Sequence, residues 1–444
     1  MTLTPALLAD AAARGPRYTS YPPATEMRPL APAALATELA AVGGDGPISL
    51  YVHIPFCKQL CAYCGCNVVP TRDRSRGDAY VESVATELAL LGSRIGAVPV
   101  TELALGGGSP NFLTAVALQR LVAAVRHRFP LAPDARLSVE LDPRDTDRAK
   151  IDALSDLGFR ALSVGVQDFA APVQDAIRRH QSRAQTAATI DAARAAGFTD
   201  VNIDMVYGLP HQTEATFAET LDAVLQLAPD RIALFGYAHL PDRFPHQRLV
   251  ERSGPILDAH ERAVLLLLAL QRLGDAGYQH LGLDHFARPG SALARAAAEH
   301  RMTRTFQGYV ERRAASVIGV GASAISVTPR ALWQNHASLE SWQRALAGGD
   351  LPIVRGYLLD RDDQIRRAVI DELMCYGEVA FGPLGISASS YFAAELLQLR
   401  GLAVYDAAAN VLRTTELGRL LVRNVCMAFD RHLAATGARF SATI

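Results

Sequence analysis

The stretch ISLYVHIPFCKQLCAYCGC, residues 48–66, joins a short apolar run to a loop that holds four of the six cysteines in this 444-residue chain. The run ISLYVHI, residues 48–54, has the length and composition of a buried strand. Three of the cysteines, Cys57, Cys61 and Cys64, follow it with the spacing CxxxCxxC. The sequence therefore predicts a strand that leads directly into a cluster of thiols.

Further apolar runs follow along the chain, and stretches rich in Ala, Leu and Arg separate them. The runs are VTELALGGG (100–108), RLSVELDP (136–143), ALSVGVQDF (161–169), VNIDMVYGLP (201–210) and RIALFGYAHL (231–240). Strands that alternate with helices predict a parallel sheet with right-handed connections. At least six such units in one series favour a full or partial (β/α) barrel over a small doubly wound sheet.

Glycine–aromatic pairs mark where helices are expected to end. Gly158-Phe159, Gly197-Phe198 and Gly277-Tyr278 each close a helical stretch and precede a predicted strand. A glycine just beyond a helix adopts the left-handed conformation at low cost, and the aromatic side chain packs beneath the helix end. These pairs support the alternation of helices and strands.

The two ends of the chain differ from the central series. Residues 1–44 are rich in Pro and Ala and are predicted to form an arm that lies on a barrel of residues 45–350. Residues 351–444 are predicted to form a mostly helical domain that covers the substrate side, with a small β element near 403–414. The polar run at 17–22 is interpreted either as a lid over the site or as a segment that only docks.

Composition restricts the partners that we expect. The 44 basic and 45 acidic residues give a net charge of −1, so nothing suggests nucleic acid or an anionic membrane as a partner. No apolar run approaches the roughly 20 residues of a spanning helix, and the N-terminus lacks the pattern of a secretion signal. We expect a cytoplasmic monomer whose thiols are reduced, in which clustered cysteines indicate metal or redox chemistry.

The cysteine loop follows the first predicted strand, at the end of a barrel where catalytic residues gather. Three soft ligands in one short loop suit an iron–sulfur cluster. The alternative is a structural zinc site in a binding protein that uses all four cysteines, although zinc sites usually pair two separated knuckles. Cys375 and Cys426 lie singly in helical sequence and offer no second knuckle. The role of Cys66 stays open between a fourth ligand, an active-site thiol and a small packed residue.

The CxxxCxxC spacing resembles the cluster motif of the radical S-adenosylmethionine (SAM) enzymes. A closer resemblance, to the oxygen-independent coproporphyrinogen III oxidases, runs from residue 17 to residue 430. It rests on RYTSYP (17–22), YVHIPFC (51–57), CAYCGCN (61–67), GGGSP (106–110), ELDPR (140–144), GVQDF (165–169), NIDMVYGLP (202–210), YAHLP (237–241), GLDHFARP (282–289), FQGY (306–309), GVGASAIS (319–326) and NVCMAFD (424–430). It implies a partial (β/α)6-type radical SAM barrel with a [4Fe–4S] cluster. Cys57, Cys61 and Cys64 would hold the cluster, and SAM would bind the open iron.

The resemblance also implies binding residues for two SAM molecules. They are Tyr51, Tyr63, Gly107, Gly108, Ser109, Glu140, Gln167, Arg179, Asp204, Ala238 and Ile325. Ser109 stands where the family usually has threonine, and it retains the hydroxyl group. From the residues alone, the glycines at 106–108 fit either a close approach to a ligand or an ordinary tight turn. His53 shares a strand face with Tyr51 and is either a core histidine or an active-site hydrogen-bond donor and acid.

The activity implied by the resemblance is oxidative decarboxylation of two propionates of coproporphyrinogen III to vinyl groups, which gives protoporphyrinogen IX for haem synthesis. A 5′-deoxyadenosyl radical from SAM would start each step. An electron donor such as flavodoxin or ferredoxin and an unidentified acceptor are expected partners. The alternative is a haem-binding relative, a haem chaperone without oxidase activity. That relative typically lacks the Cys64-Gly65-Cys66 ending and the arm motif at 17–22, so the presence of both favours the oxidase.

Overall fold

The computed structural model describes residues 3–312, 314–399, 401–433 and 440–444. Its strands are β1 Ile48–Ile54, β2 Phe56–Cys57, β3 Val69–Pro70, β4 Val100–Gly107, β5 Leu131–Leu141, β6 Ala161–Gln167, β7 Asp200–Tyr207, β8 Arg231–Gly236, β9 Gln279–Gly282, β10 His285–Ala287, β11 Met302–Thr305, β12 Gly308–Glu311, β13 Ser316–Val320, β14 Ile325–Val327, β15 Ala331–Asn335, β16 Ile353–Leu358, β17 Glu378–Ala380, β18 Ala403–Asp406 and β19 Val411–Thr414. Its helices are α1 Pro5–Asp10, α2 Pro32–Val42, α3 Ser75–Ile95, α4 Ala115–Arg128, α5 Arg148–Asp156, α6 Ala171–Ile177, α7 Arg183–Ala195, α8 Glu214–Gln226, α9 Arg248–Ser253, α10 Ala259–Asp275, α11 Ala292–Ala298, α12 Leu339–Ala347, α13 Arg361–Tyr376, α14 Ala388–Tyr391, α15 Ala393–Gln398, α16 Glu416–Leu420 and α17 Val422–Phe429.

The six predicted strands are present and lie side by side in chain order as β1, β4, β5, β6, β7 and β8. Every neighbouring pair among them is parallel. The sheet is larger than expected, because β13 adds a seventh parallel strand beside β1 and antiparallel strands extend both edges. The described sheet has 12 strands in the order β16-β15-β14-β13-β1-β4-β5-β6-β7-β8-β10-β9. The central parallel sheet with helices is confirmed.

The apolar runs form strands because both faces of the sheet are covered. Every residue of β1 is buried, as parallel strands require when helices pack on one face and other residues fill the opposite side. On the helix side, Leu50 and Val52 share one core with Val84 and Leu88 of α3. On the other side, β1 presents Tyr51 and His53, both of which are buried.

The three glycine–aromatic pairs end helices as predicted. The glycines at 158, 197 and 277 have φ angles of 100°, 93° and 84°. The amide of each following aromatic donates to a carbonyl five residues earlier, at 2.9 to 3.0 Å. This bond and the bond from each glycine amide to the carbonyl three residues earlier form the paired pattern that closes a helix. Phe159, Phe198 and Tyr278 are buried, so each helix end is fixed against the core.

The C-terminal region has its own apolar core. It packs Val369 of α13, Phe392 and Phe429 together with Tyr18 and Tyr21 from the N-terminal region. The β element near 403–414 is present as the hairpin of β18 and β19. The division into 1–44, 45–350 and 351–444 remains a prediction, and β16, just beyond residue 350, pairs with the large sheet.

The N-terminal segment lies against the C-terminal residues. The guanidinium of Arg423 donates to the Pro16 carbonyl at 2.9 Å and also to the Gly15 carbonyl. The amide of Thr443 donates to the Ala13 carbonyl at 2.8 Å. Arg17 extends inward and donates to the Gly236 carbonyl at 2.6 Å. Within the described residues, no helix has the length and apolar character needed to cross a membrane.

Two exposed glycines at the end of α10 offer a test of this local structure. Gly277 has a φ of 84° and Gly274 lies within the helix, and a Cβ added at either position would meet no atom within 4 Å. We expect Gly277→Ala to lower the free energy of unfolding by about 1–2 kcal/mol, because only glycine adopts the left-handed conformation without strain. Gly274→Ala should raise it by about 0.5–1 kcal/mol. Urea unfolding of both variants measures the difference, and equal destabilisation would contradict the helix-end geometry.

Candidate active site

The cysteine loop begins where β1 ends at the carboxyl edge of the sheet. Cys57 closes β2, and its carbonyl accepts from the Thr71 amide at 2.9 Å. Further along, the Ala62 amide donates to the Ile177 carbonyl at 2.9 Å, and Gln247 Nε2 donates to the Tyr63 carbonyl at 2.9 Å. The loop is therefore fixed by backbone contacts to three other segments of the chain.

One cavity beside this loop, which we call the cysteine cavity, collects most of the predicted site residues. The predicted residues that line it are Cys57, Cys61, Tyr63, Cys64, Cys66, Gly107, Gly108, Ser109, Glu140, Gln167, Arg179 and Asp204. They come from the loop, from the ends of β4, β5 and β6 or just beyond β4, from within β7, and, for Arg179, from just after α6. Carboxyl ends of parallel strands meet at one edge of the sheet, which explains why residues so distant in sequence share a cavity.

The glycines at 106–108 let parts of the chain itself approach closely. A Cβ at Gly106 would lie 2.8 Å from the Glu140 carboxylate, and one at Gly107 would overlap the His53 ring. A Cβ at Gly108 would lie 2.7 Å from the Phe56 carbonyl oxygen. The Gly107 amide donates to Glu140 Oε2 at 3.1 Å. Glycine is thus needed for internal packing, while the backbone of Gly107 and Gly108 also faces the cavity.

Two buried carboxyl groups line the same cavity. Burial, and then the nearby charge of Asp204, raise the pKa of Glu140 to about 7. Burial also raises the pKa of Asp204, although Ser163 and Asn202 donate to its oxygens at 3.0 and 2.7 Å. Desolvation disfavours the charged form of each acid. Glu140 therefore changes its charge near neutral pH.

A buried ion-pair network, which sequence reasoning did not identify, lies beside Cys61. Asp142 Oδ2 accepts from Arg179 Nη1 at 3.2 Å and from Arg144 Nη2 at 2.6 Å. Both arginines also approach Cys61 Sγ, at 3.6 and 3.5 Å. Burial alone would raise the pKa of Asp142, but Arg179 and Arg144 lower it to about 2. The motif ELDPR could have indicated this network, since its acidic and basic side chains directly follow the end of a strand.

Four predicted residues lie outside the lining of the cysteine cavity. Tyr51 donates or accepts a hydrogen bond with His53 Nδ1 at 3.1 Å, and His53 Nε2 lies 2.9 Å from the Asn67 carbonyl. Burial lowers the pKa of His53. The Ala238 carbonyl accepts from Gln247 Nε2, which also binds the Tyr63 carbonyl. Ile325 lines a separate cavity together with residues of the N-terminal segment.

The donor set fits an iron–sulfur cluster better than a single zinc ion. Cys57, Cys61, Cys64 and Cys66 are free thiols, and none forms a disulfide. Among the described residues, no three His, Cys, Asp or Glu side chains form a group that could hold one metal ion. A structural zinc site needs four ligands around one centre, whereas the thiolates of a cluster bind separate irons. Arg179 Nε is buried without a hydrogen-bond partner in the described chain, so a donor remains available beside the thiols.

Three thiols on a loop at the carboxyl edge of a parallel sheet define a radical SAM enzyme, and residues 51–224 match the model of the radical SAM superfamily. The chain is 39% identical to the oxygen-independent coproporphyrinogen III oxidase of Pseudomonas aeruginosa over 97% of this chain and 96% of that protein. It is 39% identical to the enzyme of the same name from Salmonella typhimurium, over 94% and 93% of the two chains. The chain belongs to the oxygen-independent coproporphyrinogen III oxidase family.

The structural comparison agrees with this assignment. The solved coproporphyrinogen III oxidase of Escherichia coli, described as a radical SAM enzyme, superposes with a TM-score of 0.88 and 38% sequence identity. The superposition covers 94% of this chain and 97% of that chain. A coverage of this extent shows that the match extends beyond the parallel sheet.

Two adjacent arginines allow a matched test of the ion-pair network. Arg179→Met removes a buried partner of Asp142, while Arg144 still neutralises part of that charge. We expect the free energy of unfolding to fall by about 2–3 kcal/mol at pH 7. Arg178→Met, at the exposed neighbouring position, should change it by less than about 0.5 kcal/mol. Denaturant unfolding measures both, and equal effects would contradict a structural role of the buried pair.

Proposed function

We propose that this chain converts coproporphyrinogen III to protoporphyrinogen IX without oxygen, as a radical SAM enzyme of the family to which it belongs. The observation that carries the proposal is the meeting of three cysteines with Gly107, Glu140 and Arg179 around one cavity, in a chain that matches named oxidases along almost its whole length. The haem-binding alternative has no support from the relatives described above.

Cys57, Cys61 and Cys64 are the proposed ligands of a [4Fe–4S] cluster whose open iron would bind SAM. When bound, the cluster and SAM supply the electron transfer and the carbon radical that remove hydrogen from a propionate side chain. Ser109 Oγ lies 3.6 Å from Cys57 Sγ, and two guanidinium groups approach Cys61 Sγ. Hydrogen-bond donors and positive charge beside thiolates stabilise the ligated, deprotonated form.

The residues around the cysteine cavity suit the polar ends of SAM. Gly107 and Gly108 bring their backbone, and Glu140 its carboxylate, to the position proposed for the methionine part. Ionised Glu140 would accept hydrogen bonds from an ammonium group. Gln167, Arg179 and Asp204 line the same cavity. The chain would thereby hold and orient SAM through groups that are already fixed by internal contacts.

Two SAM molecules remain part of the proposal. Tyr63 and Ala238 are connected through Gln247 on one side of the loop. Tyr51 packs its ring 4.5 Å from that of Phe306, while Ile325 lines a cavity further out. The proposed contact residues thus occupy more than one cavity. This arrangement supports two binding positions.

A series of cavities leads from the cysteines to the N-terminal segment. An inner cavity of about 270 Å³ shares Glu140 and Asp204 with the cysteine cavity. It also shares Arg17 and Phe306 with a larger outer cavity of about 620 Å³. Residues 16–25 line part of this outer cavity, so the arm would shield a bound tetrapyrrole from water and protect the radical.

Partners other than the substrate are part of the proposal. Each decarboxylation needs one electron to start SAM cleavage and releases one electron from the substrate. We propose a small electron-transfer protein such as flavodoxin or ferredoxin as donor, an unidentified acceptor, and a monomeric enzyme in the cytoplasm.

If these cysteines hold the cluster, replacing any one of them should remove both the metal and the activity. After anaerobic reconstitution, Cys57→Ala, Cys61→Ala and Cys64→Ala should lose the iron–sulfur absorption and the formation of divinyl product, because each removes a proposed ligand. Cys375→Ala and Cys426→Ala, at buried positions in α13 and α17, serve as controls and should retain both. Iron analysis and separation of the porphyrins measure the outcome. An intact cluster without divinyl product in the unmodified chain would contradict the proposed function.

The pKa of Glu140 predicts how SAM affinity depends on pH. Below pH 7 the carboxyl group holds a proton that an incoming ammonium must displace, so affinity should fall by up to about 10-fold per pH unit. Above pH 7 this dependence should level off, since Glu140 is already ionised. Equilibrium dialysis with radiolabelled SAM measures the profile.

Glu140→Gln should remove this pH dependence and weaken binding at pH 8. Glu87→Gln is the matched control, because burial also raises the pKa of Glu87 to about 7, but its carboxylate accepts from Trp342 and Asn335 in the core. An unchanged profile in Glu140→Gln would show that another group controls binding.

A further inference from the structure

The outer cavity contains cations that the protein does not neutralise. Arg243, in the loop after β8, and Arg355, on β16, both line it. Arg355 donates through Nε and Nη2 to Gln334 Oε1, at 2.9 and 2.6 Å, and forms no ion pair with a carboxylate in the described chain. Arg243 lies over the Phe244 ring, 5.4 Å from its centroid, and likewise has no ion pair among the described residues.

The electrostatic surroundings of Arg355 are repulsive. Burial lowers its pKa, and the neighbouring cations Arg243 and Arg28 lower it further. Like charges held together in a partly desolvated cavity raise the free energy of the empty site and favour an anion. The remaining cation of the lining, Arg17, is already directed toward Asp284, at 3.8 Å.

A further cavity also borders Phe306, and more of its cations have internal partners. It is lined by Arg304, Arg312 and Arg367, and by Asp371, which lies 3.8 Å from Arg367 Nε. Arg304 Nη1 pairs with Asp284 at 3.2 Å. Arg367 donates to the Thr328 carbonyl at 2.6 Å as well. Two of these three arginines thus have carboxylate partners, whereas Arg243 and Arg355 have none among the described residues.

The rest of the outer cavity combines apolar and hydroxyl side chains with one carboxylate, Asp242, which lies 3.7 Å from Arg248. Phe306, Ile325, Val327 and Phe440 line it, and its volume of about 620 Å³ lies in the range of small-molecule sites. A partly apolar lining in which three arginines stand against one carboxylate suits a ligand that has a flat or flexible hydrocarbon body and carboxylates at its rim. The substrate of the proposed reaction has this chemistry.

We propose that Arg243 and Arg355 bind a propionate of the tetrapyrrole that is not reacting, and so hold the macrocycle while another propionate faces the cysteine cavity. This inference rests on the proposed function. It assigns a carboxylate subsite formed by the loop after β8 and by strand β16. Phe306 contacts the same ligand from the inner side, where the three cavities meet.

The test compares ligands with and without carboxylates on the reconstituted holoenzyme. Coproporphyrin III, the fluorescent oxidised form with all four carboxylates, and its tetramethyl ester are the probes. Arg355→Met and Arg243→Met should each weaken binding of the acid by roughly 10- to 100-fold and change binding of the ester by less than about 3-fold. Arg355→Lys should recover part of the loss.

Arg344→Met is the matched control, because Arg344 is an exposed arginine paired with Glu340 on α12. It should leave both affinities unchanged. In turnover, Arg355→Met should raise the KM for coproporphyrinogen III, with the affinity for SAM unaffected.

Several outcomes would overturn the subsite. Equal losses for acid and ester would show that the arginines only support packing. A weaker affinity for SAM alone would assign them to the cofactor, and a higher KM for the reducing protein alone would assign them to partner docking. Failure of the unmodified enzyme to form divinyl product would instead overturn the proposed function, while the binding comparison would still decide whether the subsite exists.

Discussion

At the carboxyl edge of the sheet, the chain segments that follow β1 and β4 are hydrogen-bonded to each other. They lie so close together that no side chain fits between them. The Gly108 amide donates to the Ile54 carbonyl, and the Ser109 amide donates to the Phe56 carbonyl, both at 2.8 Å. This contact fixes the start of the cysteine loop beside the turn at 106–109. The same turn admits the Glu140 carboxylate and the His53 ring. The position of the thiols, the glycine backbone that borders the cavity and the acid near it all depend on the missing Cβ atoms.

The central strands and the cysteine loop could be predicted because their signals are local. A strand buried on both faces must be apolar throughout, and the clustering of the cysteines is evident from the sequence itself. Strand β13 and the antiparallel edges were missed because they are short, and β13 is far in sequence from its partner β1. The predicted helical tail was correct for α13 and α17, but β17 joins the later hairpin from a distance that no local pattern reveals.

The sequence also did not predict the roles of side chains whose partners lie far away along the chain. Arg144 and Arg179 act on one carboxylate from separate elements, and only the folded chain brings them to Cys61. Arg355 differs from them, since it is part-buried yet contacts an amide oxygen and, within the described residues, forms no ion pair with a carboxylate. Removing one partner of a buried ion pair is costly because the other charge stays buried, whereas a cation without a counterion favours an anionic ligand. Sequence cannot distinguish the two kinds of arginine, because the distinction lies entirely in their neighbours.

The N-terminal segment is held by the far end of the chain. Tyr18 donates to Asp430 Oδ2 at 3.1 Å, Arg423 binds the carbonyls of Gly15 and Pro16, and Thr443 binds that of Ala13. During synthesis, residues 13–18 leave the ribosome long before these partners exist. The parallel sheet can form first, with the outer cavity still uncovered. These contacts can close the cavity only after the last residues of the chain are made, so the side that the segment covers stays open until then.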